Sequence, residues 1–272
     1  LAEERYGYAG TDGWRYALLA HRYGQNSTRA KELDCDTDRI RDVEGMMRAN
    51  GLWYGTTDDE AGKEEEKTML DAERIAKAAA KWALSKVGSR YSQADRGAAD
   101  AFDCSSLVAR AYSAQGVSWD LVGSEVPNST QEVYSDQFLL LWPEDYDDIG
   151  KKLGGKDVLE QATQAGDLQF LCTDSDTTRS NRITHVAMVA GKDEIVHARS
   201  TKYGVCTNDL DLYAGKVCAV ARLDPSAPLR RGMRGLRVKA LQALLNEQGA
   251  KLETDGIFGE KTEEAADRYG VG

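Results

Sequence analysis

Proline is scarce in this 272-residue chain, with four residues in all, and histidine is scarcer still, with three. Two of the prolines fall in Asp224-Pro225-Ser226-Ala227-Pro228, so residues 224–228 are expected to form a short stiff linker. No apolar run is long enough to span a bilayer, which argues against membrane insertion. No secretory leader is visible, and Leu1 in place of Met suggests a start after a processing or cloning boundary, so the route of export stays open. An excess of basic residues is missing too. A formal charge of −10 and a pI near 5.0 argue against nucleic acid or an anionic membrane as partner. Neither a paired CxxC nor an HExxH is present, which weighs against a zinc site, and neither metal nor other cofactor is expected.

What the chain does have is Asp103-Cys104-Ser105-Ser106-Leu107-Val108, with His185 and His197 far downstream. Residues 89–103 are rich in Gly, Asp and Ser, whereas Leu107, Val108, Ala111 and Tyr112 recur at helical spacing until Gly116. Asp103 is then the expected N-cap and Cys104 the first helical residue. A cysteine at that place has its pKa lowered by free backbone N–H groups and the helix dipole, so a nucleophilic thiolate is expected. The five cysteines, an odd number, leave at least one thiol free. Cys35, Cys172, Cys206 and Cys218 are read as small buried hydrophobes.

Residues Ile183 to Ser200 read as a β-hairpin around Gly191-Lys192-Asp193-Glu194. A three-residue loop would set Ala187 opposite His197 and leave His185 as its diagonal neighbour on one face. A two-residue loop would part the histidines. Taken singly, each residue has a bland explanation in core packing. A helix-opening Cys with two of three histidines on one hairpin points instead to a nucleophile, a base and an orienter.

The residues Gly88-Ser89-Arg90-Tyr91, Ala101-Phe102-Asp103-Cys104-Ser105-Ser106-Leu107-Val108, Ala165-Gly166-Asp167-Leu168-Gln169-Phe170, Thr184-His185-Val186-Ala187-Met188-Val189 and Ile195-Val196-His197-Ala198 resemble, in content and order, the motif set of NlpC/P60 cysteine peptidases. Val126-Pro127-Asn128-Ser129-Thr130 is similar to that family's segment after the nucleophile helix. The resemblance implies a papain-like α+β domain over residues 67–223, with the nucleophile helix packed on an antiparallel sheet. It implies Cys104 as nucleophile, His185 as general base and then acid, and His197 as the polar residue that holds the imidazole. Tyr91 would lie on the substrate side. Asp103 and Ser105 match positions that hold the stem peptide in some members, and helix capping explains them equally well. Ser106 stands where many members have Gly, and Trp119 to Ala165 is longer than expected, an insertion that could line or cover the cleft.

A second resemblance lies at the far end. Leu229, Gly232, Gly235, Val238, Leu241-Gln242, Leu245 and Gly249, then Asp255-Gly256-Ile257-Phe258-Gly259, Thr262 and Ala265-Ala266, are similar to the type 1 peptidoglycan-binding domain, a small three-helix module, here over residues 229–272. Val238, Leu241, Leu244 and Leu245 form one apolar stripe, and a further helix should start near Lys261. Residues 1–66 are expected to be a helical region, from Ile40, Val43, Met46 and Met47, although Thr56 to Lys67 looks like a solvated boundary. Asp34, Asp36 and Asp38 lack the glycine of a calcium loop and read as a polar loop. From Met69 to Val87 a helix is expected, with Ile75, Ala79 and Trp82 inward.

Together these imply a modular cell-wall hydrolase, extracellular or wall-associated, either a bacterial remodelling enzyme or a phage lysin, with peptidoglycan as partner. The favoured bond joins D-glutamate to the diamino acid of the stem. Amidase or cross-bridge cleavage is the alternative, and a non-catalytic wall-binding protein the second.

Overall fold

The computed structural model of the chain describes residues 58–119, 127–162, 164–172 and 181–269. The expectations for Ile40 to Met47, the Asp34 loop, Cys35 and Val126 lie outside these residues. Two compact units divide the chain, one of Leu70–Ala227 and the other including Pro228–Gly272. Among the described residues no helix is long and apolar enough to cross a membrane.

Helix α1 (Asp58–Leu84) leads into the first unit. It starts well before Met69 and runs through the acidic stretch taken for a boundary, because Glu, Lys and Ala favour helix whether or not they are buried. Its inward face is a row of alanines, Ala72, Ala76, Ala79, Ala80 and Ala83, with Ile75 and Trp82 only half-buried at the margins. So small a face allows close approach. Gly166 meets it there with φ of 99°, and a Cβ on it would lie 2.7 Å from the Ala76 carbonyl oxygen, so only glycine fits.

Two short strands, β1 (Arg90–Tyr91) and β2 (Ala101–Phe102), pair in parallel and bring the chain to α2 (Cys104–Ser113). Helix α2 is buried along nearly its whole length, from Cys104 to Ala109 and at Ala111 and Tyr112. After the short helix α3 (Ser129–Glu132) come β3 (Phe138–Trp142), the one-turn α4 (Lys156–Leu159), β4 (Leu168–Cys172), β5 (Ile183–Gly191), β6 (Glu194–Ser200), β7 (Gly204–Asp209) and β8 (Val217–Leu223). The six strands form one sheet in the order β3-β8-β4-β5-β6-β7, antiparallel at every pairing. Every residue of β4 is buried, as a central strand requires. Helix α2 packs on β5 and β6. This is the papain-like α+β architecture expected.

Aromatic contacts tie α2 to the sheet. The Tyr112 ring meets Phe138 edge-on at 5.0 Å, and its hydroxyl donates to the Gly166 carbonyl at 2.6 Å. Next to Gly166, the buried Asp167 receives both Nε and a terminal nitrogen of Arg222 at 2.8 and 2.7 Å, which joins the start of β4 to β8. The described part of the long stretch after Trp119 is built into the fold rather than laid over it. It supplies β3, and Val158, Leu159 and Ala162 join Leu171, Val189, Val217 and Val220 in a second apolar cluster, with Trp142 and Tyr213 against it.

Two of the cysteines read as plain hydrophobes are not that. Cys172 and Cys218 form a disulfide between the adjacent strands β4 and β8, with Cα atoms 5.7 Å apart. Cys206 is free and half-buried.

In the second unit, α5 (Leu236–Glu247) and α6 (Glu260–Tyr269) stand close to the expected positions. Among the described residues from Pro228 onward these are two helices, not three, since Leu229 to Gly235 is turn and a single bridge from Arg234 to Ile257. Val238, Leu241 and Leu245 are buried as anticipated, and Leu244 only half so. Gln242 organises the Asp-Gly turn. Its amide nitrogen donates to Asp255 Oδ1, the Ile257 carbonyl and Thr262 Oγ1 at 2.8, 3.0 and 3.2 Å, while its oxygen accepts from the Gly256 N–H at 2.8 Å. The expected linker is itself an ordered turn: Asp224 Oδ1 accepts from the Ser226 N–H at 3.0 Å, and the Asp224 N–H donates to the Gln137 carbonyl at 2.9 Å.

The disulfide joins cysteines 46 positions apart in the chain. Reduction, or Cys172→Ala with Cys218→Ala, is expected to lower unfolding stability by about 2–4 kcal/mol, mainly by freeing the unfolded chain. Urea denaturation with and without reductant measures this. Coincident curves would show that the bond contributes nothing.

Candidate active site

The site begins at the N-terminus of α2. Asp103 caps the helix in both directions: its Oδ1 accepts from the Ser106 N–H at 2.7 Å, and its own N–H donates to Ser106 Oγ at 2.9 Å. Ser106 is thus half of a capping box. The other carboxylate oxygen, Oδ2, pairs with Arg96 Nε at 3.1 Å. A terminal nitrogen of Arg96 also donates to Ser105 Oγ at 2.9 Å and to the Pro127 carbonyl at 2.7 Å. Asp103 and Ser105 thus both help to hold the helix start. Arg110, one turn before the end of α2, donates to the carbonyls of Arg96, Ala98 and Ala101 and fixes the loop that leads to Cys104. Sequence reading missed both arginines, because single arginines in a polar loop and on a helix carry no spacing signal. Tyr91 is half-buried on β1, in register with Phe102, two residues before Cys104.

The histidines come from the hairpin of β5 and β6, and its turn differs from expectation in an instructive way. Gly191 pairs with Glu194, so the loop is the two-residue Lys192-Asp193, with Asp193 at φ of 61°. That loop alone would send His185 and His197 to opposite faces. A bulge at Ala190 shifts the register by one, giving Val189 opposite Ile195 and Met188 opposite Val196. Continued to the histidines, this is the register a three-residue loop would have given, and the two rings meet. His185 Nε2 lies 2.9 Å from His197 Nδ1. His197 is wholly buried, and its Nε2 lies 3.0 Å from Asn208 Oδ1 on β7. Asn208 was not anticipated, since its place depends on the turn between β6 and β7. The Tyr213 ring covers both imidazoles edge-on, at 6.2 Å from His185 and 5.8 Å from His197.

The backbone N–H groups of Val186, next to His185 on β5, and of Ser105 lower the pKa of the Cys104 thiol. Burial nevertheless pushes the Cys104 thiol up to about 11, with the Glu132 and Asp103 carboxyls adding to the effect. The expected lowering by the helix start is present but is outweighed, because a charge removed from water loses more than two N–H groups return. Burial likewise holds His185 down to about 3, helped by His197 and Arg199. Glu132, wholly buried near the same helix start, has no hydrogen-bond partner on either carboxyl oxygen, and burial raises its pKa well above the carboxylate range. Thiol and imidazole are then both uncharged at neutral pH. An uncharged imidazole can accept the thiol proton as sulfur attacks a carbonyl, so the arrangement suits acyl transfer by general base. Among the described residues no group of three or more His, Cys, Asp or Glu is placed to hold a metal ion.

This charge state has a direct readout. Without substrate, alkylation of Cys104 by iodoacetamide should climb with pH through about 11, because the thiolate forms only as the buried thiol gives up its proton. A plateau already reached at pH 7 would show a resting thiolate–imidazolium pair instead. Mass spectrometry of the Cys104 peptide separates this thiol from Cys206.

Residues 88–221 match the model of the NlpC/P60 family. Similar solved structures include NlpC2 from Trichomonas vaginalis, at 25% identity over 55% of this chain and 46% of that one, with a TM-score of 0.38. They also include the NlpC/p60 domain of the peptidoglycan hydrolase SagA, at 19% over 54% and 97%, TM-score 0.32, and the P60 domain of an antigen from M. avium subspecies paratuberculosis, at 17% over 56% and 96%, TM-score 0.34. The aligned part spans less than half of the Trichomonas chain. No curated protein matches the chain. Members of this family are in general peptidoglycan hydrolases and cysteine peptidases, and residues 88–221 of this chain are an NlpC/P60 family domain.

Proposed function

We propose that the chain is a peptidoglycan hydrolase that cuts a stem-peptide amide bond with Cys104 as nucleophile, His185 as base and acid, and His197 as orienter. The observation that carries this reading is the 2.9 Å contact between His185 Nε2 and His197 Nδ1 beside the start of α2. That contact leaves one ring nitrogen of His185, Nδ1, for the thiol. As Cys104 Sγ attacks the carbonyl carbon, its proton passes to that nitrogen and the carbonyl oxygen becomes an oxyanion. Backbone N–H groups at the helix start are the natural donors to it. Collapse breaks the C–N bond, His185 returns the proton to the leaving amine, and a thioester remains. Water, deprotonated by the same nitrogen, attacks the thioester, and the thiol is regenerated with a free carboxylate as product.

The favoured bond is D-glutamate to diamino acid, with Tyr91 on the substrate side. The unit from Pro228 onward is proposed to bind wall and hold the catalytic unit near its substrate, which raises local substrate concentration without altering the chemistry. An extracellular or wall location suits the Cys172–Cys218 disulfide, a bond that persists in oxidising surroundings.

Three variants incubated with defined peptidoglycan test the chemistry, with released fragments read by mass spectrometry. Cys104→Ser should abolish release, since a hydroxyl is a far poorer nucleophile than sulfur. His185→Ala should lower it by about 10²–10⁴-fold, the usual worth of a positioned base, while His197→Gln should keep a measurable part. Fragments ending in D-glutamate identify the bond, whereas free lactyl groups would point to an amidase. Near-normal turnover by Cys104→Ser would overturn the mechanism.

Deleting residues 226–272 should reduce activity on insoluble walls and leave a soluble stem peptide cleaved at nearly the full rate. Equal loss on both substrates would mean that the second unit shapes the catalytic one.

A further inference from the structure

Asn208 lies outside the Cys104, His185 and His197 set, yet it closes the buried end of the chain of ring contacts. His197 stands opposite Cys206 on β7, and Asn208, two residues further along the same face, is its diagonal neighbour. Two groups converge on one atom, Asn208 Oδ1: His197 Nε2 at 3.0 Å and the Cys206 thiol, which donates from 3.7 Å. An amide oxygen can only accept. The His197 Nε2 must therefore carry a proton, which leaves its Nδ1 as an acceptor. That acceptor faces His185 Nε2 at 2.9 Å, so His185 must be protonated at Nε2 and bare at Nδ1. Were the Asn208 amide nitrogen turned inward instead, every proton in the row would move over by one. His185 Nδ1 would then hold a proton and could not receive that of Cys104.

We propose that Asn208 is a positioning residue that selects the tautomers of both His197 and His185, with the Cys206 thiol as the second donor that keeps its oxygen turned toward the rings. The inference rests on the reading of His185 as the base toward Cys104. Asn208 touches no reacting atom. It acts two rings away, by deciding which nitrogen of His185 is free, and its effect belongs in kcat rather than in KM.

The tautomers can be read directly. The chain has three histidines, so long-range ¹H–¹⁵N correlation spectra of the full-length protein, assigned with His185→Gln and His197→Gln, report the protonated nitrogen of each ring. In the native protein both His185 and His197 should carry their proton on Nε2. Asn208→Leu, which removes the acceptor, should move part of the His197 population to Nδ1–H and lower kcat about tenfold, the change that loss of one ordinary hydrogen bond makes, with KM unaltered. Asn208→Asp restores an acceptor at the same place and should keep both the tautomers and most of kcat. A native spectrum with His197 protonated on Nδ1 overturns the inference, even if Asn208→Leu fails to fold. So does an Asn208→Leu protein with native tautomers and native kcat. Neither result bears on whether Cys104 is the nucleophile, which the Cys104→Ser assay decides separately.

Discussion

One extra residue in a hairpin governs this site. The turn Lys192-Asp193 is the tightest kind available, and by itself it would face His185 and His197 away from each other. Ala190 absorbs the parity error as a bulge, three residues from Ala187, the position that register sets opposite His197. From that register follow the imidazole contact, the reach of His197 to β7 and the edge-on cover of both rings by Tyr213. Val189, just before the bulge, is wholly buried in the cluster of Val158, Leu159, Ala162, Leu171, Val217 and Val220, so the register is held by core packing on the side of the sheet that carries His185. A slip by one residue would take that valine out of its cluster and separate the histidines together. Stability and chemistry thus depend on the same alignment.

The helix that carries Cys104 is held with equal redundancy. Its first turn is closed by the capping box of Asp103 and Ser106, its preceding loop by three carbonyl contacts from Arg110, and its flank by Arg96, which joins Asp103, Ser105 and the Pro127 carbonyl. Gly166 belongs to the same device. Its carbonyl accepts from Tyr112 of α2 while the absence of a side chain lets the alanine face of α1 approach. The proposed nucleophile must sit within a fraction of an ångström of its working place, and helix start, loop and sheet each restrain Cys104 from a different direction.

Much of this was legible in the residues. Helical spacing after Cys104, the Asp103 cap and the paired faces of His185 and His197 follow from periods of 3.6 and 2 that any chain must obey. The route to the correct register was wrong in detail. A three-residue loop and a two-residue loop with a bulge give the same parity, and sequence cannot tell them apart. The Cys172–Cys218 bond escaped notice because it depends on β4 lying next to β8, a strand order that no local pattern encodes. Asn208 and Arg96 escaped for a related reason: each is a lone polar residue whose meaning comes only from what the fold sets beside it. The three-helix module anticipated over residues 229–272 shows two helices among the described residues, and Gly232 and Gly235, both at positive φ, lie in the turn that precedes the first.

The sign of the Cys104 shift carries the most physical information about how the site works. Backbone N–H groups at a helix start do favour a thiolate, but here Cys104 is buried, and desolvation dominates. The same burial holds His185 down and pushes the unpartnered Glu132 up, so thiol and imidazole rest without charge, while the ion pair of Arg96 and Asp103 stands at the helix start. In the proposed mechanism, charge appears only when substrate is attacked, as imidazolium at His185 and oxyanion at the carbonyl. In so dry a place the donors already fixed around the sulfur act on that new charge with little screening and without reorganising. A site arranged in this way stabilises the attacked state more than the resting one, and that difference is what lowers a barrier.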